Sequence, residues 1–222
     1  MKKNIFVACD FSSQEEAISL IEKLKNHIFG IKIGLQYVTS TGVDGVKALS
    51  KFNLPIMYDV KAFDIKNTVK AFAKSLKNLG VSYATIHLLN GEETLKSIVE
   101  ENKDIKFVGV SVLTSFSNND LKNLGFANNV EQQVERLVKI AVKVNLHGVV
   151  CSPLEVKMIK KINPKLLCFT PGIRLEVSSD DQKRTMTPRE ALNEGSDYLI
   201  LGRPLTSGNP TENIKKIIKS IE

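Results

Sequence analysis

Met57-Tyr58-Asp59-Val60-Lys61-Ala62-Phe63-Asp64-Ile65-Lys66-Asn67-Thr68 joins two hydrophobic periods. On its amino-terminal side Pro55, Ile56, Met57 and Tyr58 make a short run suited to a buried strand, whereas beyond Ile65 the residues Val69, Phe72, Ala73 and Leu76 recur at helical spacing. The charged residues therefore fall where a strand gives way to a helix. In an extended chain residues two apart point the same way, so Asp59 and Lys61 are expected on one face about 6–7 Å apart, with Asp64 re-aimed by the turn. Two carboxylates and an ammonium packed this closely are costly to desolvate unless they pair. In parallel α/β folds ligands sit at the carboxyl ends of strands, which makes the cluster a candidate site rather than a wet loop.

The same alternation runs outward in both directions. Strands are expected at Ile5 to Cys9, Gly30 to Gly34, Pro55 to Val60, Tyr83 to His87, Lys106 to Leu113, Gly148 to Ser152, Leu166 to Thr170 and Asp197 to Gly202. Helices are expected at Gln14 to Asn26, Val43 to Lys51, Asn67 to Asn78, Glu92 to Glu101, Val130 to Val144, Pro153 to Lys161, Pro188 to Glu194 and Thr211 to Ile221. The strands are near-continuous apolar runs, as strands covered on both faces require. Eight strand-then-helix units in 222 residues predict one (β/α)8 TIM barrel domain spanning residues 1–222. A doubly wound open sheet is the rival, but it would carry a glycine-rich loop after its first strand, where this chain has Asp10-Phe11-Ser12-Ser13.

Composition narrows the function. The net charge of +7 invites a nucleic-acid partner, yet lysines are spread over nearly every helix, aromatics are sparse and no basic run interleaves with them. The charge is expected to be a solvated outer surface, with no nucleic acid bound. The apolar run after Lys2 and Lys3 is short for a signal peptide, and no stretch approaches membrane-spanning length. Cys9, Cys151 and Cys168 lack CxxC spacing and lie in or beside apolar runs, which suits buried free thiols in a reducing cytoplasm. His27, His87 and His147 are isolated, so no metal-ligand spacing appears.

Polar residues gather at the carboxyl ends of the strands. Asp10 follows the first, Lys32 interrupts the second within Gly30-Ile31-Lys32-Ile33-Gly34, Asp59 and Lys61 close the third, His87 the fourth, and Thr114 with Ser115 the fifth. Lys32, flanked by isoleucines, is expected to point to the barrel axis and pair with Asp10 and Asp59. The seventh strand runs into Thr170-Pro171-Gly172-Ile173-Arg174 and a polar loop holding Gln182 and Arg184, and the eighth ends in Gly202-Arg203-Pro204. Loops after strands seven and eight are the usual phosphate position in this fold, with arginine forking onto the oxygens.

Together these residues resemble the orotidine 5′-monophosphate decarboxylase family over essentially the whole chain. The resemblance rests on Asp59-Val-Lys61-Ala-Phe-Asp64-Ile with Thr68 downstream, Lys32 in Lys-Ile-Gly, Leu113-Thr114-Ser115, Thr170-Pro171-Gly172-Ile173-Arg174, Gln182 and Gly202-Arg203-Pro204. Lys66 departs from it, since the family usually has proline there, and residues 175–181 replace a segment containing proline and glycine. The resemblance implies a cofactor-free, metal-free decarboxylation of orotidine 5′-monophosphate to uridine 5′-monophosphate in a homodimer with shared sites. It implies catalytic roles for Lys61, Asp59, Asp64 and Lys32. It further implies substrate contacts from Asp10, Lys32, Asp59, Thr114, Arg174, Gln182, Gly202 and Arg203, with Asp64, Ile65 and Thr68 supplied by the partner subunit. Two rivals stay open at this level: a magnesium-dependent sugar-phosphate decarboxylase or aldolase sharing the DxKxxD element, and a non-catalytic nucleotide-binding barrel.

Overall fold

A computed structural model of the chain describes residues 4–175 and 184–222. Eight parallel strands close into a barrel in sequence order. They are β1 (Ile5–Ala8), β2 (Gly30–Gly34), β3 (Ile56–Ala62), β4 (Tyr83–His87), β5 (Lys106–Val110), β6 (Gly148–Val150), β7 (Leu167–Thr170) and β8 (Tyr198–Leu201), with β8 closing onto β1. Around them lie α1 (Gln14–Leu24), α2 (Leu35–Ser50), α3 (Lys66–Ser75), α4 (Glu92–Glu101), α5 (Asn118–Asn123), α6 (Val130–Lys143), α7 (Val156–Ile162), α8 (Pro188–Asn193), α9 (Arg203–Thr206) and α10 (Pro210–Ile221). This is the expected (β/α)8 architecture.

Strand alternation sorts the apolar residues into two clusters. Ile5, Val7, Ile31, Ile33, Ile56 and Ala84 face outward and pack with helix residues such as Leu20, Ile21 and Leu24. Phe6, Ala8, Met57, Tyr83, Val108, Phe169 and Ile200 face inward and form a separate cluster. Its lower layer is aromatic: the rings of Phe6 and Tyr83 lie 5.5 Å apart edge-on, and Phe169 stacks on Tyr198 at 4.8 Å. Gly30 makes room for this layer, because a Cβ there would sit 2.5 Å from the Phe6 ring and 2.6 Å from the Pro55 carbonyl oxygen. The aromatic rings plug the amino-terminal end, and a ligand is left the carboxyl end of the strands.

Several boundaries differ from expectation. β3 runs on to Ala62 rather than stopping at Val60, and β5 stops at Val110, because the residues expected to extend it to Leu113 leave the ladder to build the loop over the barrel mouth. α2 starts at Leu35, eight residues before Val43; Gly42 (φ 62°) kinks it and interrupts the period that would have marked its first turns. α5 and α9 were not expected, being too short to display a helical period.

Candidate active site

A cavity of about 390 Å³ opens at the carboxyl ends of the strands. Ala8, Val110, Val150 and Ile200 line its apolar part, Asp10, Lys32, Asp59 and Lys61 line the β1–β3 side, and Arg174, Gly202 and Arg203 line the β7–β8 side. Leu113, Thr114 and Ser115 of the β5–α5 loop complete the wall. In an eight-strand barrel β3 and β7 lie across from one another, so the lysine cluster and Arg174 face each other over the mouth.

Alternation along β2 explains Lys32. With Ile31 and Ile33 packed outward, Lys32 turns inward, and its ammonium lies 3.0 Å from Asp10 Oδ1 and 3.4 Å from Asp59 Oδ2. Gly34, one turn of the pleat further, leaves space for this cluster: a Cβ there would stand 3.0 Å from Asp10 Oδ1 and 3.3 Å from Lys32 Nζ. Burial alone drives the Lys32 ammonium toward neutrality, but Asp59 and Asp10 outweigh it and hold its pKa above the ordinary lysine value. Burial likewise opposes ionisation of Asp59, and Lys32 and Lys61 reverse that, holding its carboxyl below the ordinary range. Asp59 is a carboxylate and Lys32 an ammonium at neutral pH.

Lys61 reaches Asp59 by a route that simple strand geometry does not give. Its backbone is left-handed (φ 52°), and between the pairs Tyr58↔Ala84 and Ala62↔Ile86 the β3 chain advances four residues while β4 advances two. This bulge folds Lys61 back so that its ammonium lies 3.0 Å from Asp59 Oδ1, rather than projecting in parallel from an extended strand. Thr85 of β4, which sequence reasoning missed, fills the gap in the ladder. Its hydroxyl donates to Asp59 Oδ1 and accepts from the Lys61 N–H, each at 2.9 Å. Asn90 was also missed; its amide donates to the carbonyls of Ala62 and His87 at 2.8 Å and accepts the Asp64 N–H at 3.3 Å. Thr85 shares the inward face of β4 with Tyr83 and His87, and that alternation was the available signal.

The remaining candidates divide. Asp10, Thr114, Arg174, Gly202 and Arg203 line the cavity with the central cluster. Asp64, Ile65 and Thr68 are exposed and are not among the cavity's lining residues. Gln182 lies outside the described residues. His87 is set aside from the cavity: its Nδ1 accepts the Leu89 N–H at 3.2 Å, and burial, then the nearby Lys61, lower its pKa and keep it neutral. Burial pushes the Cys9 thiol up to about 12, so it supplies no thiolate.

Arg184 and Glu155 form a second ionic anchor. The Arg184 guanidinium pairs with the buried Glu155 carboxylate and donates to the carbonyls of Leu113, at 3.0 Å, and Thr114, at 3.4 Å. Glu155 also accepts the Ser152 N–H at 2.9 Å, closing a capping box after β6. The pair thereby ties the β5–α5 loop and the β6–α7 connection to the chain entering α8.

Among the described residues no three histidine, cysteine, aspartate or glutamate side chains group to hold a metal ion. Between Asp10 and Asp59, where a cation would bind, stands the Lys32 ammonium. The arrangement can stabilise negative charge developing in the cavity, deliver a proton from Lys61 and hold an anionic group at the arginines.

Residues 3–217 match the model of the orotidine 5′-phosphate decarboxylase / HUMPS family. The orotidine 5′-phosphate decarboxylase of Wolbachia pipientis subsp. Culex pipiens is 42% identical over 221 residues, covering 98% of each chain. That of Legionella pneumophila is 37% identical over 229 residues, with both chains fully covered. The crystal structure of orotidine 5′-phosphate decarboxylase from Lactobacillus acidophilus superposes with a TM-score of 0.86 at 31% identity over the whole of both chains.

Proposed function

Since the chain belongs to the orotidine 5′-phosphate decarboxylase / HUMPS family, we propose that it converts orotidine 5′-monophosphate to uridine 5′-monophosphate and CO₂, a carboxy-lyase step of pyrimidine synthesis. The observation that carries this reading is the alternating array Asp10, Lys32, Asp59, Lys61 facing Arg174 and Arg203 across one cavity.

The chemistry follows from the array. Breaking the bond between C6 and the carboxylate releases CO₂ and leaves the electron pair on a ring carbon with no adjacent carbonyl to accept it. Stabilisation must then be electrostatic, from an ammonium already in place. Lys61 supplies it and then transfers a proton from Nζ to C6, to be reprotonated from solvent. Asp59, itself anchored by Lys32, orients Lys61. Asp10 and Lys32 face the ribose, Thr114 the pyrimidine, and Arg174, Gly202 and Arg203, with Gln182, the phosphate. Binding energy at the phosphate, far from C6, is available to lower the barrier.

Leu35, Phe63, Ile65 and Leu89 leave a large apolar exposure beside the β2–β4 end of the cavity. We assign this face to a homodimer in which the partner's Asp64, Ile65 and Thr68 complete each site, Asp64 standing against the substrate carboxylate. Three unpaired thiols suit action in the cytoplasm.

A magnesium-dependent sugar-phosphate enzyme would need an acidic ligand where Lys32 stands, and an ammonium there repels a metal. The purified protein should therefore decarboxylate orotidine 5′-monophosphate equally with and without chelator. Absent turnover, or turnover that the chelator removes, would overturn the assignment.

A further inference from the structure

Lys61 owes its place to a backbone conformation that a lysine rarely adopts. Leaving the β region for φ 52° is unfavourable for a side chain-bearing residue, and the bulge that produces it takes the Lys61 N–H out of the β3–β4 ladder. A buried donor left without an acceptor adds a further penalty. Thr85 meets both requirements with one oxygen. It is fully buried, it accepts the stranded N–H at 2.9 Å, and its hydroxyl hydrogen is committed to Asp59 Oδ1, also at 2.9 Å.

We propose that Thr85 is a positioning residue for decarboxylation: its hydroxyl locks the left-handed turn at Lys61 and the rotation of the Asp59 carboxylate together, fixing where the Lys61 ammonium sits. Thr85 does not line the cavity, so it acts through these two residues and not on substrate. The coupling is specific in direction. Asp59 Oδ1 receives both Thr85 and the Lys61 ammonium, while Oδ2 faces Lys32. Losing the Thr85 bond frees the carboxylate to rotate and so moves the ammonium relative to C6. Backbone and side chain of Lys61 thus share one support. An apolar residue of the same shape, such as valine, would fill the space and supply neither bond.

The role rests on the decarboxylase reading above and is tested alongside it. With orotidine 5′-monophosphate, Thr85→Val should lose about tenfold to a hundredfold in kcat, as a displacement near 1 Å of a reacting group does. KM and affinity for uridine 5′-monophosphate should change less than about threefold, since no substrate contact is removed. Thr85→Ser, which keeps the hydroxyl, should recover most of the lost kcat. Should valine fail to fold at this buried position, Thr85→Ala makes the same measurement. A wild-type protein without turnover would overturn the functional reading. An active wild type whose hydroxyl-free variants turn over within about twofold of it, or whose serine variant is as impaired as the valine one, would overturn the role of Thr85 alone.

Discussion

Lys32 and Asp59 are buried charges kept ionised by one another, and pH shows it. The pKa of Asp59 is lowered on folding, so its stabilising contribution is present above the ordinary carboxylate value of about 3.9 and is lost as pH falls through the lower folded value. The pKa of Lys32 is raised, so its contribution is present below about 10.4 and is lost as pH climbs through the higher folded value. Between those limits neither group makes stability depend on pH. In urea titrations the stability gap between wild type and Asp59→Asn should therefore hold steady through neutral pH and narrow below about pH 4; a gap that persists undiminished into acid would contradict the ionised cluster. At this scale the charged members were legible in the sequence. An ammonium between isoleucines in a strand has few places to go, and Asp59 and Lys61 stand out in an apolar run. Thr85 and Asn90 stood out less, because a neutral hydroxyl or amide is cheaper to bury than a charge, and alternation along β4 was the one signal that pointed to Thr85. The left-handed turn at Lys61 was hidden as well, since nothing in Asp-Val-Lys-Ala announces a bulge without the partner strand.

Among the elements, the loops depend on each other more than the strand and helix pattern suggested. The Arg184–Glu155 pair joins the entry to α8 with the β6–α7 connection and with the loop carrying Thr114. Burial raises the Glu155 pKa, and Arg184 offsets only part of that rise. Removing only the guanidinium leaves a buried carboxylate without its partner. Arg184→Met should cost about 3–5 kcal/mol in a denaturant titration, and the double variant with Glu155→Met should cost less than Arg184→Met alone. Additive costs in the two single variants would show that the charges are not coupled. Element identity was legible wherever a run exceeded two turns or alternated cleanly, as in α6 and β2. Boundaries failed where a local device overrode the period: Gly42 kinking α2, the bulge extending β3, and the capped turn of α5, whose Ser117 and Asp120 close a capping box on a helix too short to show periodicity.

For the whole molecule, the closed barrel was the most legible feature, because eight repeats of one unit reinforce each other and each strand is apolar on both faces. The site's position followed from the fold, while its completion did not, since a chain read alone shows where Asp64 lies but not what it faces. Asp64 and Ile65 stand exposed next to the exposed Phe63, outside the cavity, and in the proposed homodimer a second barrel would bring its own copies to the site. We propose that Lys61 from one barrel and Asp64 from the other act on one substrate. The direct measurement mixes Lys61→Ala and Asp64→Ala subunits under conditions that let dimers exchange. Each variant alone should be nearly inactive, Lys61→Ala should still bind uridine 5′-monophosphate, and the mixture should regain about a quarter of wild-type activity, because about half the dimers are hybrids with one intact site of two. Hybrids that demonstrably form yet restore no decarboxylation, or a Lys61→Ala protein that turns over unaided, would contradict it.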